Sequence, residues 1–353
     1  MPALKVGLIG CGRIAQLVHL NILTRSPDVE LVALAEPDPE RLREASRRAP
    51  GAVAFTGYQE LLGMPDVEGV VICLPSALHA AASVEALQQG KHVYLEKPLA
   101  TSLNEGRRVL SAWRRAGAVG MIGFNYRFNA LYQTARQHIQ SGRLGELISA
   151  RSVFASSAQS LPAWKQHRQS GGGVLLEMAS HHIDLVRFLF GQEVRDVFAA
   201  LRSQRSEGDS AMLQLRLAGG LLVQSFFSMS AVEEDRFEIY GQAGKLTIDR
   251  YRSLDVEITD STRKLTRFEL LGSGLSSLFR SSYPLQKIVT PSREASYRRA
   301  LAHFVAAARV NRPAFPDFMD GYRSLAVVEA AEESVTTGRV ISLVDLTDEG
   351  LVG

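Results

Sequence analysis

At 353 residues, 46% apolar and 22% charged, the chain is long enough for two domains, and its formal net charge of +3 is too small to suggest a nucleic-acid partner. It holds no run of about 18 apolar residues, which argues against a membrane partner. Its two cysteines, Cys11 and Cys73, sit in apolar strand-like runs. That argues against a disulfide framework and, with a start that enters LKVGLIG too soon for a signal peptide, points to the cytoplasm.

The first third alternates short β-branched apolar runs with longer stretches of helical spacing. The runs are KVGLI, VELVALA, GVVICL, HVYLE and AVGMIGF, and RIAQLVHLNIL and HAAASVEALQQG lie between them. This pattern predicts an α/β fold, an N-terminal Rossmann-type doubly wound parallel sheet over residues 1–124. Continuous apolar strands fit a sheet covered on both faces. GLIGCGRIA reads as strand, glycine turn and helix. Gly10 permits the tight turn, Gly12 lets backbone approach a pyrophosphate, and Ala15 is the third small position. The helix opened by Arg13 and Ile14 offers free N–H groups to phosphates. Glu36 ends the next strand, where a carboxylate accepts from the ribose hydroxyls and repels a 2′-phosphate. The expected cofactor is therefore NAD, with NADP possible because Arg13 is within reach of a phosphate.

Leu74, Pro75 and Ser76 follow the GVVIC strand and are expected to wall the nicotinamide side, with His79 bracing their turn. Glu96 and Lys97 end the HVYL strand. Lys97 directly precedes Pro98, which restricts its backbone and admits a cis bond. A lysine fixed there is a candidate to hydrogen-bond a substrate oxygen, and partial burial would ease proton transfer.

Residues 125–353 change character. A helical segment, Leu131–Gln140, precedes the strand-like runs LISARSVFAS, VRDVFAALR, AMLQLRLAGGLLVQSFFSM, DRFEIYGQAGKLTID and LDVEITD. Hairpin signals at LAGGLL and YGQAGKL predict a C-terminal α+β domain with a large, mostly antiparallel open sheet. A Ser-, Gly- and Pro-rich segment over 270–294 reads as a long loop, with Tyr283 as a candidate substrate contact, and two helices finish the chain.

The stretch SGGGVLLEMASHHIDLVRF, Ser170–Phe188, sets Glu177, His181, Asp184 and Phe188 in one narrow sector at about 100° per residue. His182 falls on the apolar side and is expected to be a buried core imidazole. His181 faces two carboxylates, which makes it the candidate acid–base group. The glycines permit close approach of backbone to ligand. Glu177, His181 and Asp184 share a face that a zinc ion could use, but no cysteine or histidine cluster elsewhere completes such a set, and no metal is expected.

Taken together, GLIGCGRIA, LPSALHAAASVEALQQGKHVYLEKPLA, GFNYRF and GGGVLLEMASHHIDLVRFLFG resemble the glucose–fructose oxidoreductase / inositol dehydrogenase / rhizopine catabolism family over nearly the whole chain. The resemblance implies a Rossmann domain followed by a substrate-binding domain whose open sheet forms a homodimer or homotetramer interface. It also implies hydride transfer to or from a hydroxyl or keto carbon of a sugar, inositol or sugar derivative. The family's catalytic lysine matches Lys97, and its carboxylate and histidine match Glu177 and His181. Glutamate stands at Glu177 where the family usually has aspartate, moving the carboxylate by about one methylene. Trp164 and Lys165 resemble an aromatic–basic pair near cofactor and substrate. Arg127 in FNYRF is a pocket candidate or an interface salt bridge. Two other readings stay open: a cofactor-binding sensor without turnover, and an oxidoreductase with tightly held NADP that shuttles hydride between two sugars.

Overall fold

The computed structural model describes residues 2–157, 162–260 and 295–343; the 270–294 segment and Tyr283 lie outside them. The chain divides into two compact units. The first holds Met1–Asn125, Gln169–Gly171 and Tyr297–Leu325, and the second Tyr126–Arg168, Gly172–Ser296 and Ala326–Gly353.

The first unit is built on six parallel strands: β1 (Leu4–Ile9), β2 (Val29–Ala35), β3 (Val53–Phe55), β4 (Gly69–Ile72), β5 (His92–Leu95) and β6 (Gly120–Ile122). Their order, β3-β2-β1-β4-β5-β6, is that of a doubly wound dinucleotide fold. All four residues of β4 are buried, as the unbroken apolar run GVVI requires. Helix ends follow their capping residues. Asp38 accepts from the Glu40 and Arg41 N–H groups ahead of Pro39–Arg48, and Ser102 accepts from Glu105 N–H ahead of Leu103–Ala116. Backbone bonds then line up the carboxyl ends of four strands. Gly10 N–H donates to Ala35 O at 2.8 Å, Cys73 N–H to Ile9 O at 2.7 Å and Glu96 N–H to Ile72 O at 3.0 Å.

The unit is not continuous in sequence, because Tyr297–Leu325 returns to it. The reason is apolar burial. Phe304 is fully buried with its ring edge-on to Tyr94 at 5.8 Å, and Phe318 meets Trp113 at 5.5 Å. The Ile122 N–H also donates to Pro316 O at 3.0 Å, beside β6.

The second unit carries β7 (Leu147–Ser157), β8 (Val194–Arg202), β9 (Ser210–Leu217), β10 (Leu222–Ser228), β11 (Ser230–Gly241), β12 (Gly244–Asp249), β13 (Glu257–Asp260) and β14 (Ile341–Ser342). They form one sheet in the order β13-β12-β11-β7-β10-β9-β8-β14, antiparallel except where β7 meets β10. β9 alternates buried and exposed residues, the mark of a sheet covered on one face. The helix Ser180–Phe190 covers that face, and its His182 ring lies against Phe154, Phe227 and Phe237. Phe198, Met212 and Leu222 stay exposed.

Beneath the helix, Asp235 is fully buried. It accepts from Tyr132 Oη at 2.9 Å and Arg250 Nε at 2.7 Å, and meets His182 Nε2 at 3.2 Å. Burial pushes its carboxyl up, but Arg250 and His182 outweigh that and hold it at about 2, below the ordinary 3.8. A carboxyl depressed in the folded state stabilises above its unfolded value, and this is lost as pH falls through the folded one. The shift corresponds to about 2 kcal/mol. Asp235→Asn should therefore lose stability at neutral pH and flatten the acid limb between about pH 4 and 2. Urea midpoints across that range check this, and an acid limb as steep as in the unaltered protein would contradict it.

Candidate active site

The glycine turn follows β1. Gly10 holds φ at +87°, and a Cβ there would lie 2.7 Å from Cys73 O, so the turn admits only glycine. At Gly12 an added Cβ would meet nothing within 4 Å, so this side of the turn is open to close approach. Arg13 is exposed, Ile14 half-buried and Ala15 fully buried. The helix that follows opens with a π-helical turn, Ala15–His19, before Leu20–Leu23.

Glu36 is part of the turn. Its carboxylate, in a side chain 5% exposed, accepts from Cys11 N–H at 2.7 Å and from Asp38 N–H at 3.1 Å. A carboxylate has about four acceptor sites, so two amides leave room for hydroxyl donors. Burial, then Glu36, pushes the Cys11 thiol up to about 12, so this cysteine stays protonated and inert. An open glycine backbone, a helix N-terminus and a fixed carboxylate suit NAD. Glu36→Gln should shift the NADP/NAD ratio of kcat/KM toward NADP by about tenfold or more, since it removes the charge facing a 2′-phosphate. An unchanged ratio would remove Glu36 from cofactor selection.

Along the same edge, Leu74 and Pro75 are half-buried and Ser76 is buried. His79 lies beneath them with Nδ1 2.6 Å from Pro98 O and Nε2 2.9 Å from Leu74 O, tying this turn to the residue after Lys97. Burial lowers its pKa against the pull of both carbonyls. Lys97 is half-buried, and its bond to Pro98 is cis. Glu96 is 8% exposed and meets the fully buried His19 at 2.6 Å. That pairing was not anticipated, although His19 and Ala15 sit four residues apart on the buried side of one helix.

In the second unit His181 is 9% exposed. Its ring stacks on Tyr126, with centroids 4.6 Å apart and planes 21° apart, and lies edge-on to Phe154. Glu177 meets Lys165 Nζ at 2.5 Å, and that ammonium sits 5.0 Å from the centre of the Trp164 ring. Asp184, 1% exposed, receives Arg127 through Nε at 2.9 Å and Nη2 at 2.6 Å. Each carboxylate expected to face His181 thus carries its own cation, and the Arg127–Asp184 salt bridge lies within the second unit.

Two further features of this segment were not anticipated. The helix is not uniform, because Leu175–Ala179 is a π-helical turn, and a constant 100° step does not run through Glu177 to His181. The glycines also serve the chain's own folding. A Cβ on Gly172 would lie 2.3 Å from Lys165 O, and one on Gly171, at φ +87°, would lie 2.6 Å from Ser76 Cβ. Gly172 therefore lets the segment carrying Lys165 close down beside Glu177. Sequence reasoning missed Tyr126, Asp235 and Arg250. Tyr126 lies within FNYRF, but nothing local marks its ring as a partner for a histidine 55 positions on.

Residues 4–124 match the oxidoreductase family described as having an NAD-binding Rossmann fold, and residues 132–247 match the GFO/IDH/MocA C-terminal domain. The chain is 26% identical to the myo-inositol 2-dehydrogenase of Thermotoga maritima over 349 residues, covering 96% of this chain and 98% of that protein. It is 31% identical over 252 residues to the dTDP-3,4-didehydro-2,6-dideoxy-alpha-D-glucose 3-reductase of Streptomyces violaceoruber, covering 70% and 73%. Among solved structures, an oxidoreductase domain protein from Kribbella flavida superposes with a TM-score of 0.84 at 23% identity, covering 98% of this chain and all of that one, and shares its fold.

Proposed function

The chain belongs to the glucose–fructose oxidoreductase / inositol dehydrogenase / rhizopine catabolism family of oxidoreductases, and from that premise we propose that it oxidises or reduces a hydroxyl/keto carbon of a sugar, an inositol or a sugar derivative. The observation that carries this reading is the carboxyl edge of the parallel sheet. There the open glycine turn, the anchored Glu36 and the half-buried Lys97 follow β1, β2 and β5, with β4 between β1 and β5. The substrate class rests on the relatives, which include an inositol dehydrogenase and a deoxysugar reductase.

Gly10, Gly12, Arg13, Ile14 and Glu36 would hold the dinucleotide, with Leu74, Pro75, Ser76 and Glu96 beside its nicotinamide. When bound, NAD supplies the hydride acceptor for oxidation, and its reduced form the donor for reduction. His181 takes the proton from the substrate hydroxyl in oxidation and returns it in reduction. Lys97 polarises and orients that oxygen, stabilising the charge that develops on it. Glu177 is one methylene longer than the family's aspartate and is paired with Lys165. Together with Trp164 the pair offers a polar and an aromatic surface to a polyol. A screen of inositols, polyols, amino-sugars and keto-sugars with NAD and NADP, followed by the absorbance of the reduced nicotinamide, tests the reading. Absence of turnover across every class would overturn it.

The assembly we propose is a homodimer or homotetramer through the open sheet face, in the reducing cytoplasm that two buried free cysteines suit. Phe198, Met212 and Leu222 expose apolar surface among Gln214, Gln224 and Arg216 on that face. Met212→Glu should convert the oligomer to a monomer in light scattering. An unaltered mass for this variant would place the interface elsewhere.

A further inference from the structure

We infer that Asp235 is a positioning residue for His181, holding the plane of its imidazole through a buried network that ends in the Tyr126 ring. This rests on the acid–base role proposed for His181 and says what orients that group.

The network starts at a carboxylate that is 0% exposed. One oxygen accepts from Tyr132 Oη at 2.9 Å and meets His182 Nε2 at 3.2 Å; the other accepts from Arg250 Nε at 2.7 Å. Two of these partners lead to the same ring. Arg250 holds its guanidinium carbon 4.6 Å from the centroid of Tyr126, and the Tyr132 ring stacks on Tyr126 at 6.1 Å and 22°. Tyr126 in turn lies nearly parallel to the His181 ring at 4.6 Å. The third partner, His182, is the next residue in the chain and is clamped between Phe154 and Phe237, at 5.2 and 4.5 Å. Asp235 therefore reaches His181 along the helix backbone and through stacked rings. An ionised carboxylate buried this deeply persists only with such partners, so its geometry is stiff. The network also answers a need, because a histidine that moves a proton must keep its ring nitrogen within hydrogen-bond reach of the reacting oxygen.

Nuclear magnetic resonance of the full chain with ring-labelled histidine tests this without a substrate. His181→Asn identifies the His181 signals among those of the eight histidines. Tyr126→Leu removes the stacked ring and should displace those signals. Tyr126→Phe keeps the ring and should leave them near their original position. Asp235→Asn keeps the shape and removes the charge, and should displace them as well. With the best substrate from the screen, Asp235→Asn and Tyr126→Leu should each lower kcat about 10- to 100-fold while the KM for NAD stays within about twofold, the size expected for a misplaced catalytic group. His181 signals that stay in place in Asp235→Asn and Tyr126→Leu would overturn the inference. Full activity in His181→Asn would instead overturn the acid–base role, whatever the spectra show.

Discussion

Lys97→Ala should lower turnover about a thousandfold or more while the variant still binds NAD. The range follows from what the ammonium supplies. A preorganised charge at a developing alkoxide contributes about 10²–10³, and the same ammonium also orients the reacting oxygen. Binding survives because the proposed contacts to the pyrophosphate and the adenosine ribose belong to the glycine turn and Glu36, whose hydrogen bonds do not involve Lys97. Calorimetric titration with NAD separates loss of chemistry from loss of binding. Lys97→Arg divides the role further. It keeps the positive charge but yields no proton at accessible pH, and its planar fork demands a different geometry. Substantial activity in the arginine variant would assign Lys97 to polarisation, and none would leave proton transfer in play. Undiminished turnover in Lys97→Ala would end the proposed mechanism.

His181→Asn should cost about 10²–10⁴ in kcat, with a loss of only about 1 kcal/mol in protein stability. The stability expectation rests on size and surroundings. The ring is stacked on Tyr126 and edge-on to Phe154, and asparagine forfeits those contacts without placing a new charge among them. The Lys97→Ala, His181→Asn double variant should be only slightly slower than the worse single variant. The proposed mechanism has both act in one step, and groups that act as a unit are not additive. Strictly multiplicative losses would mean that the two side chains act in separate steps.

Much of the first unit could be read from local patterns. GVVI and HVYL are buried on both faces because helices cover a parallel sheet, so their apolar runs announced the strands directly. Gly10 announced its turn for an equally local reason, since its positive φ is closed to other residues. β3 went unread, because its three residues VAF lie at the sheet edge and are mostly exposed. In the second unit the hairpin at LAGG and the strand alternation were legible, and so was the assignment of His182 to the core rather than to the helix face carrying His181. The partner of His182 was not. Asp235 lies 53 residues away on β11 and meets it only because the helix packs on that sheet.

The sequence by itself determined the elements whose signals are near neighbours: the glycine turn, the parallel strands, the hairpins, the Lys97–Pro98 dipeptide and the helix bearing His181. Tertiary structure alone decided how charges were apportioned. It gave Glu177 to Lys165, Asp184 to Arg127, Glu96 to His19 and Asp235 to Arg250, and it returned Tyr297–Leu325 to the first unit. The physical reason is range. Turn geometry and periodicity are set by steric exclusion among adjacent residues, whereas a buried carboxylate takes whichever polar partner the packed chain brings within hydrogen-bond reach.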